Sequence, residues 1–246
     1  MMDEAPVDDT DGGVPIDEPL LERLTDEVAA RAELLRERIA ESTDRPVRVV
    51  AVTKGHPPEA ALAAFRAGFE DLGENYAQEL LAKHPAVPAA RWHFLGHLQR
   101  NKVRLLAGKV DLWQSVDRES AVRELAKRAP GARVLLQADL AGTEGRAGAA
   151  RGAVEGLLGT ARGAGLVVEG LMGIAPPDPD AAREAFRWLS GEAGRLGLTE
   201  VSMGMSGDLE AALRAGATIV RVGTALLGPR PDPGRARGSM PGSGRA

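Results

Sequence analysis

A lysine follows an apolar, strand-like run near the start of the chain, in the segment AVTKGHP at 51–57. A buried ammonium group is costly unless it is paired or used chemically. Lys54 therefore either marks the point where the strand has emerged into solvent, or it is a reactive amine that can form a Schiff base with a carbonyl compound. The residues that follow the other predicted strands bear on this choice.

Glycine and hydroxyl residues follow the last two predicted strands, in the segments GMSGDLE at 204–210 and VGTALL at 222–227. Glycines allow a ligand to approach the backbone closely, and Ser206 is placed to cap a helix whose first amide hydrogens face outward. Gly223 and Thr224 repeat this arrangement. Ordinary helix capping explains either segment alone, but the two together, beside a lysine, predict a site for a phosphorylated ligand.

Two ligand classes fit a phosphate site opposite a lysine. Pyridoxal 5'-phosphate is held at one end through its phosphate and at the other through a lysine imine, and a sugar-phosphate aldolase uses the same pair of features. Arg221 precedes Gly223 by two residues, so the two share a face of the last predicted strand. Its guanidinium could face a pyridine nitrogen as a permanent cation. An arginine paired with a carboxylate inside the sheet explains the same position.

A repeating alternation of strand-like and helix-like segments would position these residues. An opening helix over 20–42 precedes eight short apolar runs, each followed by a helical pattern. Eight such units predict a closed α/β barrel of the (β/α)8 TIM type, in which the residues singled out above lie together at the C-terminal ends of the strands. The second run is the weakest, and an open doubly wound sheet is the alternative, although no Gly-x-Gly-x-x-Gly turn follows the first run. The predicted strands are 47–53, 70–73, 92–96, 110–115, 133–140, 167–173, 200–204 and 218–223.

Charge is distributed unevenly along the chain, although the net charge is only −4. Residues 1–19 carry seven acids and no base, and residues 229–246 carry four arginines against one aspartate. Both ends lack the apolar residues that would offset ordering entropy, which predicts two disordered tails, acidic at 1–19 and basic at 229–246. The single domain between them, 20–228, has no net charge, which argues against a nucleic-acid partner.

Several other classes of chemistry and location are excluded by composition. The chain contains no cysteine, so disulfides and thiolate chemistry are excluded. No apolar run reaches the length of a membrane span, and the N-terminus lacks the pattern of a secretion signal, so we expect a cytoplasmic protein with no membrane partner. His93 and His97 bracket a strand end rather than sharing a helical face, so no metal site is predicted.

Five segments follow one another along the chain, and three of them contain the residues singled out above: AVTKGHP, GENYAQE, WHFLGHLQRNK, GLMGIAPP and VSMGMSGDLEAALRAGATIVRVGTALLG. Together they resemble the YggS/PROSC-type pyridoxal phosphate homeostasis proteins, and the resemblance covers 48–228. It implies a barrel like the N-terminal domain of alanine racemase, with Lys54 as the imine lysine and Arg221 at the pyridine nitrogen. Ser206, Gly223 and Thr224 would surround the phosphate. The implied residues of the pyridoxal 5'-phosphate site are Lys54, Asn75, His97, Met203, Ser206, Arg221, Gly223 and Thr224.

The resemblance implies a protein that buffers or delivers pyridoxal phosphate, with dependent apo-enzymes as partners, and that acts indirectly on amino-acid and keto-acid balance. We expect a monomer without strong catalysis of its own. Enzymes that resemble alanine racemase add a β-rich domain with a catalytic tyrosine, whereas this chain ends soon after the last predicted strand and its one tyrosine is Tyr76. A racemase-like pyridoxal phosphate enzyme is the alternative. The loop at 141–148 departs from the family pattern, with Arg146 where many members have lysine, and its role is left open.

Overall fold

The computed structural model describes residues 15–142 and 147–231. Eight parallel strands pair in chain order, and the pairing of the last strand with the first closes the barrel. The closed topology confirms the predicted (β/α)8 barrel and excludes the open sheet. The strands are β1 (Arg48–Val52), β2 (Asp71–Glu74), β3 (Arg91–Phe94), β4 (Leu112–Val116), β5 (Arg133–Ala138), β6 (Val167–Gly173), β7 (Glu200–Ser202) and β8 (Ile219–Val222).

Helices follow the strands in the described part of the chain, and one long helix precedes them. The second strand, whose sequence signal is the weakest of the eight, forms one residue later than expected and is buried along its whole length between β1 and β3. The helices are α1 (Glu18–Ser42), α2 (Pro58–Arg66), α3 (Ala77–Lys83), α4 (Arg100–Leu106), α5 (Glu119–Arg128), α6 (Val154–Gly163), α7 (Pro179–Arg195), α8 (Leu209–Ala215) and α9 (Thr224–Leu227).

The first helix begins at Glu18, two residues inside the segment predicted to be an acidic tail. The Asp17 side chain accepts a hydrogen bond from the Leu20 amide at 3.0 Å, which is the usual way to cap a helix start. The Asp17 amide also donates to Glu59 Oε1 at 2.9 Å, joining this start to α2. The folded domain therefore begins before residue 20.

The remainder of the two predicted tails falls at 1–14 and 232–246, outside the described residues. Arg146 in the departing loop lies outside them as well. At the other end of the domain, the described chain continues past residue 228 and includes Arg230, which lies in the segment predicted to be a basic tail. Within the described residues, no helix combines the length and the apolar character needed to cross a membrane.

The barrel interior holds a small apolar cluster and a row of buried polar side chains. Along a strand, residues two apart share a face, so Leu112 and Gln114 both point inward, as do Ile219 and Arg221. The apolar members form a cluster separate from the larger core between the strands and the helices. The interior cluster consists of Val50, Leu112, Leu135, Met172 and Ile219.

Candidate functional site

A pocket of about 280 Å³ opens at the C-terminal end of the barrel. It is formed by residues on or after β1, β2, β3, β6, β7 and β8, as expected for a barrel of this type. Three of its side chains are cationic, and among the described residues its lining contains no carboxylate. It therefore suits an anionic ligand. The lining residues are Val52, Lys54, His56, Asn75, Leu95, Met172, Ile174, Met205, Ser206, Gly207, Arg221, Gly223, Thr224 and Arg230.

Lys54 lies in the turn after β1 and is half-buried in the pocket wall. Burial lowers the pKa of Lys54 below its ordinary value, and the positive charges of Arg230 and Arg221 lower it further, against the opposing effect of Glu74. A lower pKa leaves more of the amine neutral at physiological pH, and the neutral amine is the nucleophile in Schiff-base chemistry. Lys54 therefore lines the pocket and is partly buried, rather than emerging fully into solvent at the end of the strand.

Arg221 is buried inside the barrel mouth, with 5% of its surface exposed. Its Nη1 atom donates to the Ser202 hydroxyl at 2.8 Å, and Nη2 donates to the Gly173 carbonyl at 2.9 Å. Burial lowers the pKa of Arg221 to about 10, opposed by the charge of Asp208. Within the described chain no carboxylate forms an ion pair with it, so the carboxylate-paired alternative does not hold. Its remaining donors are available to a ligand acceptor.

A chain of hydrogen bonds leads from Arg221 to the opposite end of the barrel. Ser202 Oγ donates to Gln114 Oε1 at 2.6 Å, and Gln114 Nε2 lies 2.7 Å from His93 Nδ1. His93 Nε2 is in turn 2.9 Å from Asp71 Oδ1. Burial by itself would raise the pKa of Asp71, but hydrogen bonds with His93 and an arginine hold it below its usual range. All the polar side chains of this interior row therefore have partners.

The loops after β7 and β8 meet at the pocket. The Ser206 hydroxyl accepts a hydrogen bond from the Ala225 amide at 3.3 Å, which joins the two loops. Gly204 has φ +90°, a conformation that favours glycine, and a Cβ there would lie 2.5 Å from the Ala212 side chain. The prediction that Ser206 caps the next helix is wrong, because α8 begins at Leu209 and Asp208 occupies the N-cap position.

Asn75 contributes an unsatisfied polar atom to the pocket. Its Oδ1 atom is buried and has no hydrogen-bond partner among the described residues. A buried oxygen without a donor is costly, so such an atom usually has a partner that the protein alone does not supply. A ligand with a donor group would satisfy it. Together with the two loops and the guanidinium of Arg221, which has no carboxylate partner in the described chain, this atom fits a phosphorylated aromatic aldehyde such as pyridoxal 5'-phosphate.

Known proteins share both the sequence and the fold. The family model described as "Alanine racemase, N-terminal domain" matches residues 25–231. The chain is 42% identical to the pyridoxal phosphate homeostasis protein of Deinococcus radiodurans over 187 residues, 74% of this chain and 88% of that protein. The Vibrio cholerae protein of the same description is 38% identical, over 75% of this chain and 86% of the relative. The chain belongs to the pyridoxal phosphate homeostasis protein family.

A solved structure of this family supports the same assignment. PipY of Synechococcus elongatus PCC7942, determined with pyridoxal phosphate bound, superimposes with a TM-score of 0.73 at 32% identity, covering 82% of this chain and all of that one. The family resemblance inferred from the five sequence segments is thereby confirmed.

Six of the eight site residues named from the sequence line the pocket, and two do not. His97 is exposed after β3, and its carbonyl accepts from Lys102 Nζ at 3.3 Å. Met203 is fully buried in the core between barrel and helices. The residues that line the pocket are Lys54, Asn75, Ser206, Arg221, Gly223 and Thr224.

Two residues of the pocket lining, His56 and Arg230, were not predicted from the sequence. His56 lies two residues after Lys54 in the segment already singled out, so its position could have identified it. Arg230 lies in a segment rich in proline and glycine and gave no periodic signal. Its side chain packs on the turn after β1, where a Cβ on Gly55 would lie 2.8 Å from Arg230 Cδ. In the described residues, no group of three or more histidine or acidic side chains could hold a metal ion.

Proposed function

We propose that this protein binds pyridoxal 5'-phosphate covalently through Lys54 and holds it for dependent apo-enzymes without strong catalysis of its own. The observation that carries the proposal is that one pocket joins a half-buried lysine to a buried arginine that has no carboxylate partner among the described residues. The solved relative with pyridoxal phosphate bound supports the ligand. The family name of the relatives supports the homeostatic role.

In this proposal Lys54 supplies the covalent attachment. Its neutral Nζ adds to the aldehyde carbon, a carbon–nitrogen double bond forms, and the aldehyde oxygen leaves as water. The lowered pKa of Lys54 favours this step because the ammonium form has no lone pair to donate.

Arg221 and the two loops would hold the ends of the same ligand. Arg221 has donors only, so it would donate to the pyridine nitrogen and leave that nitrogen without a proton. Ser206 and Thr224 would donate hydroxyl hydrogen bonds to the phosphate, with the backbone at Gly223 in close approach. Charge-assisted hydrogen bonds of this kind are among the stronger ones in proteins.

The same features disfavour efficient amino-acid chemistry. An unprotonated pyridine is a weak electron sink for carbanion formation. A racemase also needs a second acid/base group opposite the lysine, and the chain's one tyrosine, Tyr76, is 56% exposed and does not line the pocket. Storage and delivery of the cofactor require neither feature.

The test of covalent binding is an absorbance spectrum of the purified protein with pyridoxal 5'-phosphate, before and after borohydride, followed by peptide mapping. We expect a visible band that borohydride removes and a reduced adduct on Lys54. Lys54→Ala should lose both, whereas Lys102→Ala, at a partly exposed lysine on α4, should keep both. An adduct on any other lysine would refute the assignment.

Delivery is tested by mixing the loaded protein with an apo-enzyme that depends on pyridoxal phosphate. We expect the activity of the apo-enzyme to return at a rate that depends on the loaded protein. The rate should differ for Lys54→Ala, which would hold the ligand without a covalent bond. Recovery that matches an equal concentration of free pyridoxal phosphate for both proteins would contradict a role in delivery.

A further inference from the structure

A buried lysine lies behind the pocket and takes no part in lining it. Lys83, at the end of α3, has 2% of its surface exposed. Its Nζ donates to Glu74 Oε1 at 2.5 Å, to Glu79 Oε2 at 2.9 Å and to the Thr53 carbonyl at 2.7 Å. Three acceptors satisfy all three hydrogens of the ammonium group, which is what a buried lysine needs.

The same cluster binds the backbone on both sides of Lys54. On one side, the Thr53 carbonyl accepts from Lys83, and the Thr53 hydroxyl donates to Glu74 Oε1 at 2.7 Å. On the other side, the Gly55 amide donates to Glu79 Oε2 at 2.7 Å. Both residues adjacent to Lys54 are therefore attached to one group of charges, in which Lys83 and Glu74 are buried and Glu79 is partly exposed.

The bonds from this cluster hold the backbone at the point where the hydrogen bonds between the barrel strands end. The Thr53 amide still bonds to the Gly73 carbonyl of β2 at 2.9 Å, but the chain then turns. Gly55 has φ +72°, a left-handed conformation that the strand does not impose. The side chain of Lys54 has four rotatable bonds, so its amine is well placed only if the backbone that carries it is fixed.

The two acids of the cluster differ in environment. Burial raises the pKa of Glu74, and Lys83 and the Thr53 hydroxyl oppose that rise. Burial also acts to raise the pKa of Glu79, but hydrogen bonds from Lys83 and Gly55 outweigh it, and the pKa lies below its ordinary value. Loss of Lys83 would leave both acids beside one another with no cation at bonding distance among the described residues, which would disturb the turn they hold.

We propose that Lys83 is a positioning residue for Lys54, acting through Glu74 and Glu79 to fix the turn that presents the reactive amine to its ligand. The proposal rests on the proposed function of Lys54. In this proposal Lys83 does not contact the ligand. Substitution of Lys83 should therefore affect only the step in which Lys54 bonds to the aldehyde.

The experiment compares two probes on Lys83→Met. Pyridoxal 5'-phosphate can bond to Lys54, whereas pyridoxine 5'-phosphate has an alcohol in place of the aldehyde and can only occupy the pocket. We expect the rate of appearance of the visible band to fall at least tenfold, and the affinity for pyridoxine 5'-phosphate to stay within twofold of the wild type. Lys127→Met, at an exposed lysine on α5, should leave both values unchanged.

A second pair of variants distinguishes a loss of positioning from misfolding. Lys83→Met leaves two acids without their cation, so Lys83→Met combined with Glu74→Gln removes one leftover charge and should show the same selective loss. Glu79→Gln keeps the size of a partly exposed side chain but weakens its bond to the Gly55 amide, and should slow band formation to an intermediate degree.

Two results would overturn the inference. An unchanged rate of band formation in both the double variant and Glu79→Gln would show that the cluster does not position Lys54. A parallel loss for both probes would show general damage to the pocket instead. Failure of the proposed function is recognised separately, because wild-type protein would then give no visible band or a borohydride adduct at another lysine.

Discussion

Arg221 donates a hydrogen bond from Nη1 to the Ser202 hydroxyl at 2.8 Å inside the barrel. An arginine cannot accept, so Ser202 must accept here and direct its own hydrogen to Gln114 Oε1, 2.6 Å away. The amide nitrogen of Gln114 then faces His93 Nδ1, which must be the acceptor, and the ring hydrogen of His93 on Nε2 points to Asp71. Because Arg221 can only donate, the direction of every hydrogen bond in the row is fixed.

Ser202→Ala should therefore destabilise the fold. It leaves a buried guanidinium hydrogen and the Gln114 oxygen without partners, and an unsatisfied buried polar group costs about 1–3 kcal/mol. We expect a loss of this size in the free energy of unfolding, measured by urea titration. Ser42→Ala, which removes one hydroxyl bond to the Arg38 carbonyl near the end of α1, is the control and should change stability by less than about 0.5 kcal/mol. Equal effects of the two substitutions would contradict the importance of the row.

Ser206→Ala combined with Thr224→Ala should weaken the affinity for pyridoxal 5'-phosphate at least about tenfold. Each hydroxyl bond to a charged phosphate contributes roughly 1.5–3 kcal/mol, and about 1.4 kcal/mol already corresponds to tenfold. The matched probe is pyridoxal without the phosphate, for which the double variant and the wild type should differ by less than about twofold. Equal affinity of both proteins for the phosphorylated compound would rule out these two hydroxyls as phosphate ligands.

The pH dependence of covalent attachment should report the environment of Lys54. Its pKa lies below the ordinary value of 10.5, so the fraction of neutral amine, and with it the rate of band formation, should rise with pH with a midpoint below that value. Arg230 contributes part of this effect through its positive charge. Arg230→Gln should therefore raise the pKa of Lys54 and move the midpoint of the rate profile to higher pH.

Rates measured across the neutral to alkaline range with pyridoxal, which carries no phosphate, separate this effect from any attraction between Arg230 and the phosphate. A midpoint that stays fixed or moves to lower pH in Arg230→Gln would contradict the proposed electrostatic role. Arg195→Gln, at an exposed arginine on α7, should leave the profile unchanged.

The features that depend on local periodicity were predictable from the sequence. Alternating strand and helix patterns indicate eight units, and positions at the strand ends identify Lys54 and Arg221. The interior row was not predictable, because Asp71, His93 and Gln114 come from three different strands and only the register of the closed barrel aligns them. Arg230 was missed for a related reason, since proline and glycine around it indicate disorder unless a tertiary contact holds the segment.

Lys83 shows the same limit in a single residue. Its position at the end of α3 is compatible with an ordinary exposed lysine on a helix, because basic residues are common in the last turn. Its burial depends on the turn after β1, about thirty residues earlier in the chain, and on Glu74 at the end of β2. Spacing within α3 can indicate the i, i+4 pair with Glu79, but not that the pair holds the backbone beside Lys54.

The wild-type protein should exchange the α-proton of amino acids no faster than a small multiple of the rate with free pyridoxal phosphate. General acid/base groups contribute about 10²–10⁴-fold each, and Tyr76 lies outside the pocket. Among the described residues that line the pocket, His56 is the titratable side chain other than the lysine and the two arginines. Burial and the nearby charges of Lys83 and Arg230 lower the pKa of His56, so it is neutral at physiological pH and could act only as a base.

Proton exchange of alanine in deuterated water, followed by NMR, measures this directly, with an alanine racemase as the positive control. Tyr76→Phe and His56→Gln should both leave the slow rate unchanged, because the storage role uses neither side chain as an acid or a base. Exchange at rates typical of dedicated enzymes, abolished by His56→Gln, would replace the storage role with a catalytic one in which His56 acts opposite Lys54.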